Sequence, residues 1–394
     1  MTTVRLLLLL SLTVAQATWI AHGHSGTGTF ESRETGGFPE PLADFTVYRE
    51  SVLNYLRAYS LPARTEADIR LNLPFELIAS KAVPFRGKFL LIHGLNDSAY
   101  VWVDMAQALA DRGYDVRAIL LPGHGTHPAD MLRVSYRQWL TAARRHLALW
   151  NVDDTPMYLG GFSLGGVIAS ILALENKQVA GLLLVSPAFN SQLNRLLRWS
   201  WLYAKFKPWM FGGMIVEDNP IKYNSIPINS GTQFYRTTKY LKNRWGGKFL
   251  DMPVLMVTSM NDSVVDVDYT RKLFQQRFAS DRKKLVIYSN DASMAAKKNE
   301  LIRPSAYPKR RILNQSHLSL INSSNNPLLG ENGKQLICNG NEYPIFMACM
   351  HAKDHWYGAQ HTRSPDGIAV ARTTYNPDFD TVLQQFDKVF LNPE

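Results

Sequence analysis

Short runs of apolar residues alternate along this chain with longer stretches in which apolar residues recur at helical spacing. The runs predict strands covered on both faces, as in a parallel sheet, and the amphipathic stretches predict helices that pack on those faces. Strand runs occur at 75–78, 88–92, 115–121, 157–162, 179–187, 253–259 and 285–288, and helices are expected at 44–59, 101–112, 136–150, 167–175 and 379–390. The alternation predicts an α/β fold with a doubly wound, mostly parallel sheet.

Residues 190–250 depart from this alternation, because they contain no strand run and many aromatic residues. Ten basic and two acidic residues fall there, so this segment carries most of the net charge of +10. We interpret it as an inserted, mainly helical cap. The predicted organisation has a signal peptide at 1–17, a leader and lead-in elements at 18–80, and a core in two parts, 81–189 and 251–394, on either side of the cap. The second part includes a C-terminal extension.

The first 17 residues have the pattern of a secretory signal peptide. Arg5 precedes the apolar run 6–14, and Ala15-Gln16-Ala17 has the small-x-small form of a cleavage site. An uncleaved membrane anchor is the alternative, although 6–21 is short for a bilayer span of about 20 residues. We therefore expect an exported protein, either periplasmic or secreted.

The sequence contains only two cysteines, Cys338 and Cys349. In an exported chain they predict one local disulfide, and two free buried thiols are the alternative. His351, His355 and His361 follow closely, but no C-x-x-C or H-E-x-x-H pattern frames them. No metal site is predicted.

The residues around Ser163 form the pattern G-x-S-x-G where a predicted strand meets a predicted helix. A serine on so sharp a turn has strained backbone angles, and Gly161 and Gly165 leave room where a β-carbon would strike a neighbouring element. The hydroxyl then faces a cleft, so Ser163 is the candidate nucleophile. For the motif alone, a purely structural turn is the alternative.

A serine nucleophile needs a base and a group that orients the base. Asp262 follows the strand run 253–259 and is the predicted carboxylate. It lies at the carboxyl ends of the strands, where Ser163 is also expected. A helix-capping aspartate is the alternative. His317 follows the last predicted core strand and is the predicted base, with His351, His355 and His361 as alternatives.

The oxyanion formed during acyl transfer requires two preorganised N–H donors. We predict the backbone N–H groups of Leu164, which follows the nucleophile, and of Leu95, which follows His93-Gly94 at the end of a strand. His93 and His124 are interpreted as scaffold residues of their turns.

Together these segments resemble the α/β-hydrolase superfamily, in the branch of monoacylglycerol lipases, lysophospholipases and small bacterial carboxylesterases. The similar segments are 91–95, 121–126, the serine motif, 253–262 and 316–317. The resemblance implies hydrolysis of a carboxylic ester, such as an acylglycerol, lysophospholipid or fatty-acyl ester, through an acyl-enzyme and without a cofactor. A thioesterase or serine peptidase with the same triad, or a catalytically silent lipid-binding protein, are the alternatives. Two features depart from the family: an insertion at 290–312 and a long extension after His317.

Basic and aromatic residues alternate in the first part of the predicted cap. The aromatic side chains could face the core of a helical layer with solvated charges outside. Alternatively, they enclose an acyl chain or enter a lipid surface while the basic residues meet anionic phosphates. No nucleic-acid partner is predicted. The residues are Arg195, Arg198, Lys205 and Lys207, with Trp199, Trp201, Tyr203, Phe206 and Trp209.

Overall fold

The computed structural model describes residues 37–210, 213–214, 217–338 and 343–391. The predicted signal peptide and most of the predicted leader lie outside these ranges. The main sheet contains β1 Phe75–Leu77, β2 Gly87–Ile92, β3 Tyr114–Ile119, β4 Met157–Phe162, β5 Val179–Val185, β6 Val254–Ser259, β7 Lys283–Ser289 and β8 Glu300–Pro304. Its order is β1-β3-β2-β4-β5-β6-β7-β8, and every neighbouring pair is parallel except β1 with β3. The mostly parallel sheet predicted from the sequence is confirmed.

Helices cover both faces of this sheet. The α-helices of the described residues are α1 Phe45–Tyr59, α2 Glu66–Leu71, α3 Val103–Ala110, α4 Tyr136–Trp150, α5 Leu164–Glu175, α6 Asn194–Leu197, α7 Ser200–Tyr203, α8 Ile228–Trp245, α9 Val267–Arg277, α10 Tyr343–His351 and α11 Phe379–Phe386. Short 3₁₀ helices occupy Ala99–Trp102, Pro128–Leu132, Pro308–Arg310 and Ser319–Ile321, and a π-helix occupies Asp387–Leu391.

Alternate residues of the central strands enter two separate apolar cores. In β2, Leu90 and Ile92 pack with α4 and α5, whereas Phe89 and Leu91 pack with α3 and α11 on the other face. Successive side chains of a strand point to opposite faces, so a strand covered on both sides must be apolar throughout. This requirement explains why the central strands were recognisable as continuous apolar runs.

The helix predicted at 136–150 is present with those bounds. Ser135 caps it: the Oγ of Ser135 accepts the N–H of Gln138, and the Oε1 of Gln138 accepts the N–H of Ser135 at 2.8 Å. This reciprocal pair satisfies two N–H groups that a helix start would otherwise leave without an acceptor. The helix predicted at 379–390 is also present, as α11 and the π-helix that follows it.

The prediction that 285–288 is the last core strand is wrong. β8 lies beyond it, inside the segment 290–312 that was interpreted as an insertion, and pairs parallel to β7. Two of its five residues are charged, so it lacks an apolar pattern. Glu300 pairs with Arg271 at 2.6 Å and Arg303 pairs with Asp378 at 2.8 Å. At the sheet edge, ion pairs to neighbouring helices replace the apolar cover of a central strand.

Two further parts of the chain flank the sheet. Residues 186–253, which we call the β5–β6 insertion, contain α6, α7 and α8. Residues 336–374, the C-terminal extension, contain α10 and a small parallel sheet of β9 Trp356–Gly358 and β10 Val370–Arg372. Cys338 and Cys349 form the predicted disulfide in this extension. Among helices of the described ranges, none combines the length and apolar character needed to cross a bilayer.

Candidate active site

Ser163 occupies the sharp junction between β4 and α5. Its φ is +53°, in the left-handed region that non-glycine residues rarely adopt. A β-carbon on Gly165 would lie 2.0 Å from the carbonyl oxygen of Ile92, and one on Gly161 would lie 2.4 Å from that of Gly165. Both distances are far inside van der Waals contact, so the turn can form only with glycine at these positions.

The structure brings together the three side chains predicted to form the site. The Nε2 of His317 lies 3.0 Å from the Oγ of Ser163, and its Nδ1 lies 2.6 Å from the Oδ2 of Asp262. All three residues are buried, with 6%, 3% and 9% of Ser163, Asp262 and His317 exposed. The arrangement can withdraw a proton from the serine and stabilise the imidazolium that results.

Asp262 is held by the backbone that follows β6. Its Oδ1 accepts the N–H groups of Val264 at 2.8 Å and Val265 at 3.0 Å, which leaves Oδ2 to face His317. The helix-capping alternative for Asp262 is wrong, because Asp266 caps α9 by accepting the N–H of Tyr269.

Among the described residues, none of the alternative histidines, His351, His355 and His361, forms a hydrogen bond with Ser163 or Asp262. The Nε2 of His355 contacts the carbonyl oxygen of Cys349, and His351 ends α10. His317 packs its ring against Phe162 of β4, with 5.2 Å between ring centroids. Its neighbours on the loop are Ser316 and Gln315, which bond to other segments of the chain.

The turn after β2 passes directly against the nucleophile. A β-carbon on Gly94 would lie 3.1 Å from the Cβ of Ser163 and 2.7 Å from the Oδ2 of Asp97, so glycine allows this close approach. Leu95 follows on this turn. Leu164 begins α5, where an N–H has no acceptor within the helix and the helix dipole favours negative charge. The two predicted oxyanion donors therefore belong to backbone segments that flank Ser163.

Two buried histidines connect the turns after β2 and β3. The Nδ1–H of His93 donates to the carbonyl oxygen of Gly94 at 2.7 Å, and its Nε2 accepts the N–H of Leu121 at 3.0 Å. Burial lowers the pKa of His93 to about 4 and that of His124 well below its usual value. Both rings are therefore neutral, and the contacts agree with their interpretation as scaffold residues.

An ion pair that was not predicted from the sequence lies beside the turn after β2. We call this turn, which carries Leu95, the oxyanion turn after its predicted role. The Nζ of Lys222, in the β5–β6 insertion, lies 2.8 Å from the Oδ1 of Asp97, and the N–H of Tyr223 donates to the carbonyl oxygen of Asn96 at 2.9 Å. Asp97 could have been suspected, because it stands two residues after Leu95. Nothing local in the sequence signals Lys222.

The same insertion also begins beside the site. The Nε2 of Gln192 donates to the carbonyl oxygen of Asp262 at 3.1 Å, and Ser191 forms an antiparallel bridge with Val265. The insertion therefore contacts the Asp262 loop near its start and the oxyanion turn near its middle. In the described part of the chain, no group of three or more His, Cys, Asp or Glu side chains is placed to hold a metal ion.

The fold is that of an α/β-hydrolase, and Ser163, His317 and Asp262 form its candidate site. A family model described as "Serine aminopeptidase, S33" matches residues 84–291, just over half of the chain, and the chain belongs to this family.

Two curated relatives match over shorter segments. A thermostable monoacylglycerol lipase of Bacillus sp. (strain H-257) is 28% identical over 116 residues, which cover 28% of this chain and 46% of the relative. A pimeloyl-[acyl-carrier protein] methyl ester esterase of Vibrio cholerae serotype O1 is 32% identical over 109 residues, 26% of this chain and 38% of the relative. The chain thus spans less than half the length of each.

Solved structures with a similar arrangement have low sequence identity. One, from a study of the metagenome-derived lipolytic enzymes LipS and LipT, has a TM-score of 0.46 and 19% identity and covers 55% of this chain and 87% of its own. Another, a soluble variant of the monoglyceride lipase of Saccharomyces cerevisiae, has a TM-score of 0.45 and 16% identity and covers 58% and 85%.

Proposed function

We propose that this hydrolase cleaves carboxylic esters of acyl chains, such as acylglycerols, lysophospholipids or simple fatty esters, through an acyl-enzyme on Ser163. The observation that carries the proposal is the unbroken hydrogen-bond chain from Ser163 through His317 to Asp262. The names of the lipase and esterase relatives support an ester substrate.

Each residue has a defined role in the proposed reaction. His317 Nε2 takes the proton of Ser163 as Oγ attacks the ester carbonyl, and Asp262 balances the imidazolium charge. The N–H groups of Leu95 and Leu164 stabilise the oxyanion. His317 then protonates the departing alcohol, and water, deprotonated by the same nitrogen, releases the acid from Ser163. No metal or cofactor takes part.

Hydrolysis of p-nitrophenyl butyrate tests this proposal. Ser163→Ala should lower kcat by about 10⁴-fold or more, because the attacking oxygen is lost. The matched control is Ser170→Ala, which removes another buried serine hydroxyl, bonded to the carbonyl oxygen of Gly166 within α5. Equal activity in the two variants would exclude Ser163 as nucleophile, and an inactive wild-type protein would favour the silent lipid-binding alternative.

The family description makes a peptidase the second candidate, and the same triad would serve a thioesterase. An aminopeptidase needs a carboxylate for the free α-ammonium group of its substrate. The carboxylate on the oxyanion turn, Asp97, is already paired with Lys222, which favours an ester. Parallel assays with an amino-acid p-nitroanilide, an acyl thioester and the matching oxygen ester would rank the three activities.

We also propose that the first part of the β5–β6 insertion docks on an anionic lipid surface and serves as a cap. Trp209 is buried, but Trp199, Trp201, Tyr203 and Phe206 are exposed, with 82% of Phe206 accessible. The interpretation that these four face the core is therefore wrong. Leu193, Leu196 and Leu202 are exposed beside them. An apolar patch of this kind is typical of an interaction surface.

Cationic side chains stand among these aromatics. The guanidinium of Arg198 lies 5.4 Å from the Trp199 ring, and the Nζ of Lys205 lies 5.5 Å from the Trp201 ring. Lys207 is close in sequence, and the side chain of Arg195 lies outside the described residues. Each cation near an anionic membrane contributes about 1 kcal/mol, an attraction that salt screens within about 8 Å.

Vesicle binding at increasing salt tests the docking surface. Binding to anionic vesicles should weaken steeply between low and moderate salt, while turnover of p-nitrophenyl butyrate should stay constant. Charge reversal of Arg198, Lys205 and Lys207 together should reproduce the loss at low salt. Salt-independent binding, or an unaffected triple variant, would contradict the docking proposal and leave the esterase proposal intact.

The proposed compartment is the periplasm or the exterior of the cell. The Cys338–Cys349 disulfide supports export, because such bonds persist in oxidising environments. N-terminal sequencing of the mature protein would test the proposed removal of residues 1–17, and a start at Met1 would favour the membrane-anchored alternative.

A further inference from the structure

The loop that carries His317 is held by side chains from outside the loop. The Oγ of Ser259, the last residue of β6, donates to the carbonyl oxygen of Gln315 at 2.7 Å. The Oγ of Ser305, which follows β8, accepts the N–H of Gln315 at 2.8 Å. These contacts anchor the part of the loop that precedes His317 to the main sheet. The Oγ of Ser186, which follows β5, donates to the carbonyl oxygen of His317 at 3.4 Å.

A further anchor comes from the C-terminal extension. The Oγ1 of Thr373, which follows β10, donates to the carbonyl oxygen of Asn314 at 2.7 Å. The Oγ of Ser316 donates to the carbonyl oxygen of Thr373 at 2.6 Å and accepts the N–H of Leu318 at 3.1 Å. Thr373 is fully buried. It bonds to the loop at Asn314 and Ser316, three residues and one residue before His317.

The side chain of Asn314 forms a second connection to the extension. Its Oδ1 accepts the N–H of Ala359 at 2.6 Å, and the N–H of Leu313 donates to the carbonyl oxygen of Tyr357 at 2.8 Å. The small sheet of β9 and β10 therefore runs beside residues 311–314 and holds the segment that leads into the loop carrying His317.

The disulfide secures this small sheet. Cys338 and Cys349 form an apolar cluster with Ala371 of β10, and Tyr357 of β9 packs against it. The N–H of Arg372 donates to the carbonyl oxygen of Ile337 at 2.7 Å, next to Cys338. The disulfide is thus connected through two neighbouring residues of β10 to Thr373.

We propose that Thr373 is a positioning residue for His317, and that the disulfide-closed extension holds Thr373 in place. This inference rests on the proposed function, because His317 is the base there. Ser163 and Asp262 are fixed by backbone adjoining their own strands, whereas the imidazole depends on a loop. A small shift of that loop would lengthen the 3.0 Å contact between His317 Nε2 and Ser163 Oγ, on which proton transfer depends.

Three variants in the full-length protein test the role of Thr373. Thr373→Val keeps the shape but removes the hydroxyl bonded to Asn314, and Thr373→Ser keeps the hydroxyl. Thr374→Val is the matched control, because the buried hydroxyl of Thr374 bonds to the carbonyl oxygen of Leu329. The measurements are kcat and KM for p-nitrophenyl butyrate, the rate of labelling by a fluorophosphonate, and Tm.

Thr373→Val should lower kcat and the labelling rate about 10- to 100-fold with little change in KM, and Thr373→Ser should restore most of the loss. Thr374→Val should lower Tm as much as Thr373→Val but retain kcat. If Thr373→Val and Thr374→Val share the same kcat and Tm, Thr373 is merely structural and the inference is wrong. An inactive, unlabelled wild type would instead refute the proposed function.

Reduction of the disulfide tests the second half of the proposal. Mild treatment of the folded wild type with dithiothreitol should lower kcat and leave KM unchanged, and reoxidation should restore kcat. Reduction should have a smaller relative effect on Thr373→Val, whose loop has already lost its anchor. Unchanged kcat in protein whose two thiols are shown by mass spectrometry to be free would overturn the role of the disulfide.

Discussion

The serine turn and the histidine loop meet at one site but are built in opposite ways. The turn is set by glycines within two residues of Ser163 and by the strand ends beside it. The loop is held by hydrogen bonds from Ser259, Ser305 and Thr373, which belong to three separate segments. A local turn has few conformations and tolerates little change. A loop held by distant segments can shift when any one of its contacts with them changes.

The largest effect should come from the serine turn. Gly165→Ala places a β-carbon 2.0 Å from the carbonyl oxygen of Ile92, so a backbone segment must move. We expect destabilisation of more than about 3 kcal/mol or loss of soluble protein, as for severe overpacking. Gly247→Ala is the control, since a β-carbon there meets nothing within 4 Å. Thermal unfolding compares the variants, and an equal Tm would show that the turn is more tolerant than we infer.

Asp262→Asn should have the next largest effect, and this effect should fall on catalysis alone. The amide can still accept the N–H groups of Val264 and Val265 through its oxygen, but it presents N–H groups toward His317 and favours the wrong tautomer. We expect kcat to fall by about 10⁴-fold with little loss of stability. Near wild-type kcat would remove Asp262 from the proposed triad.

Lys222→Met should have an intermediate effect, because it removes the partner of Asp97 beside the oxyanion turn. Asp97 is buried, and a buried carboxylate without its cation is costly. We expect kcat to fall about tenfold, equivalent to about 1.4 kcal/mol of transition-state stabilisation. Lys239→Met, at an exposed position of α8, is the control. If both variants behave alike, the ion pair has no part in arranging the turn.

The smallest effect concerns His146 of α4, which is buried against Tyr48 of α1. Burial lowers the pKa of His146 to about 3, and neither ring nitrogen has a hydrogen-bond partner among the described residues. The unfolded chain binds a proton at this histidine below about pH 6.5, while the folded protein does not, so stability falls as the pH drops from there toward 3.

Replacing His146 should make the free energy of unfolding depend less on pH in the acid range. In His146→Leu, the slope of unfolding free energy against pH near pH 5 should decrease by about 1.4 kcal/mol per pH unit, because one fewer proton is taken up on unfolding. Denaturant titrations between pH 4 and 7 measure it. An unchanged slope would show that His146 is not the neutral buried group we describe.

The same contrast explains what could be predicted from the sequence. Ser163, the glycines around it and the central strands have local or periodic signals, and their positions followed from these. Strand β8 did not, because Glu300 and Arg303 make it polar and its cover depends on Arg271 and Asp378. Thr373 and Lys222 were not recognised either, since their roles arise only when distant segments fold against the site.

Trapping the acyl-enzyme on Ser163 during turnover is the most direct test of the proposed mechanism. The protein is mixed with p-nitrophenyl butyrate, quenched in acid within milliseconds, digested and analysed by mass spectrometry. We expect a butyryl group on the peptide containing Ser163, and accumulation of this adduct in a variant of His317 that still acylates but deacylates slowly. A butyryl group on another residue, with turnover retained in Ser163→Ala, would contradict it.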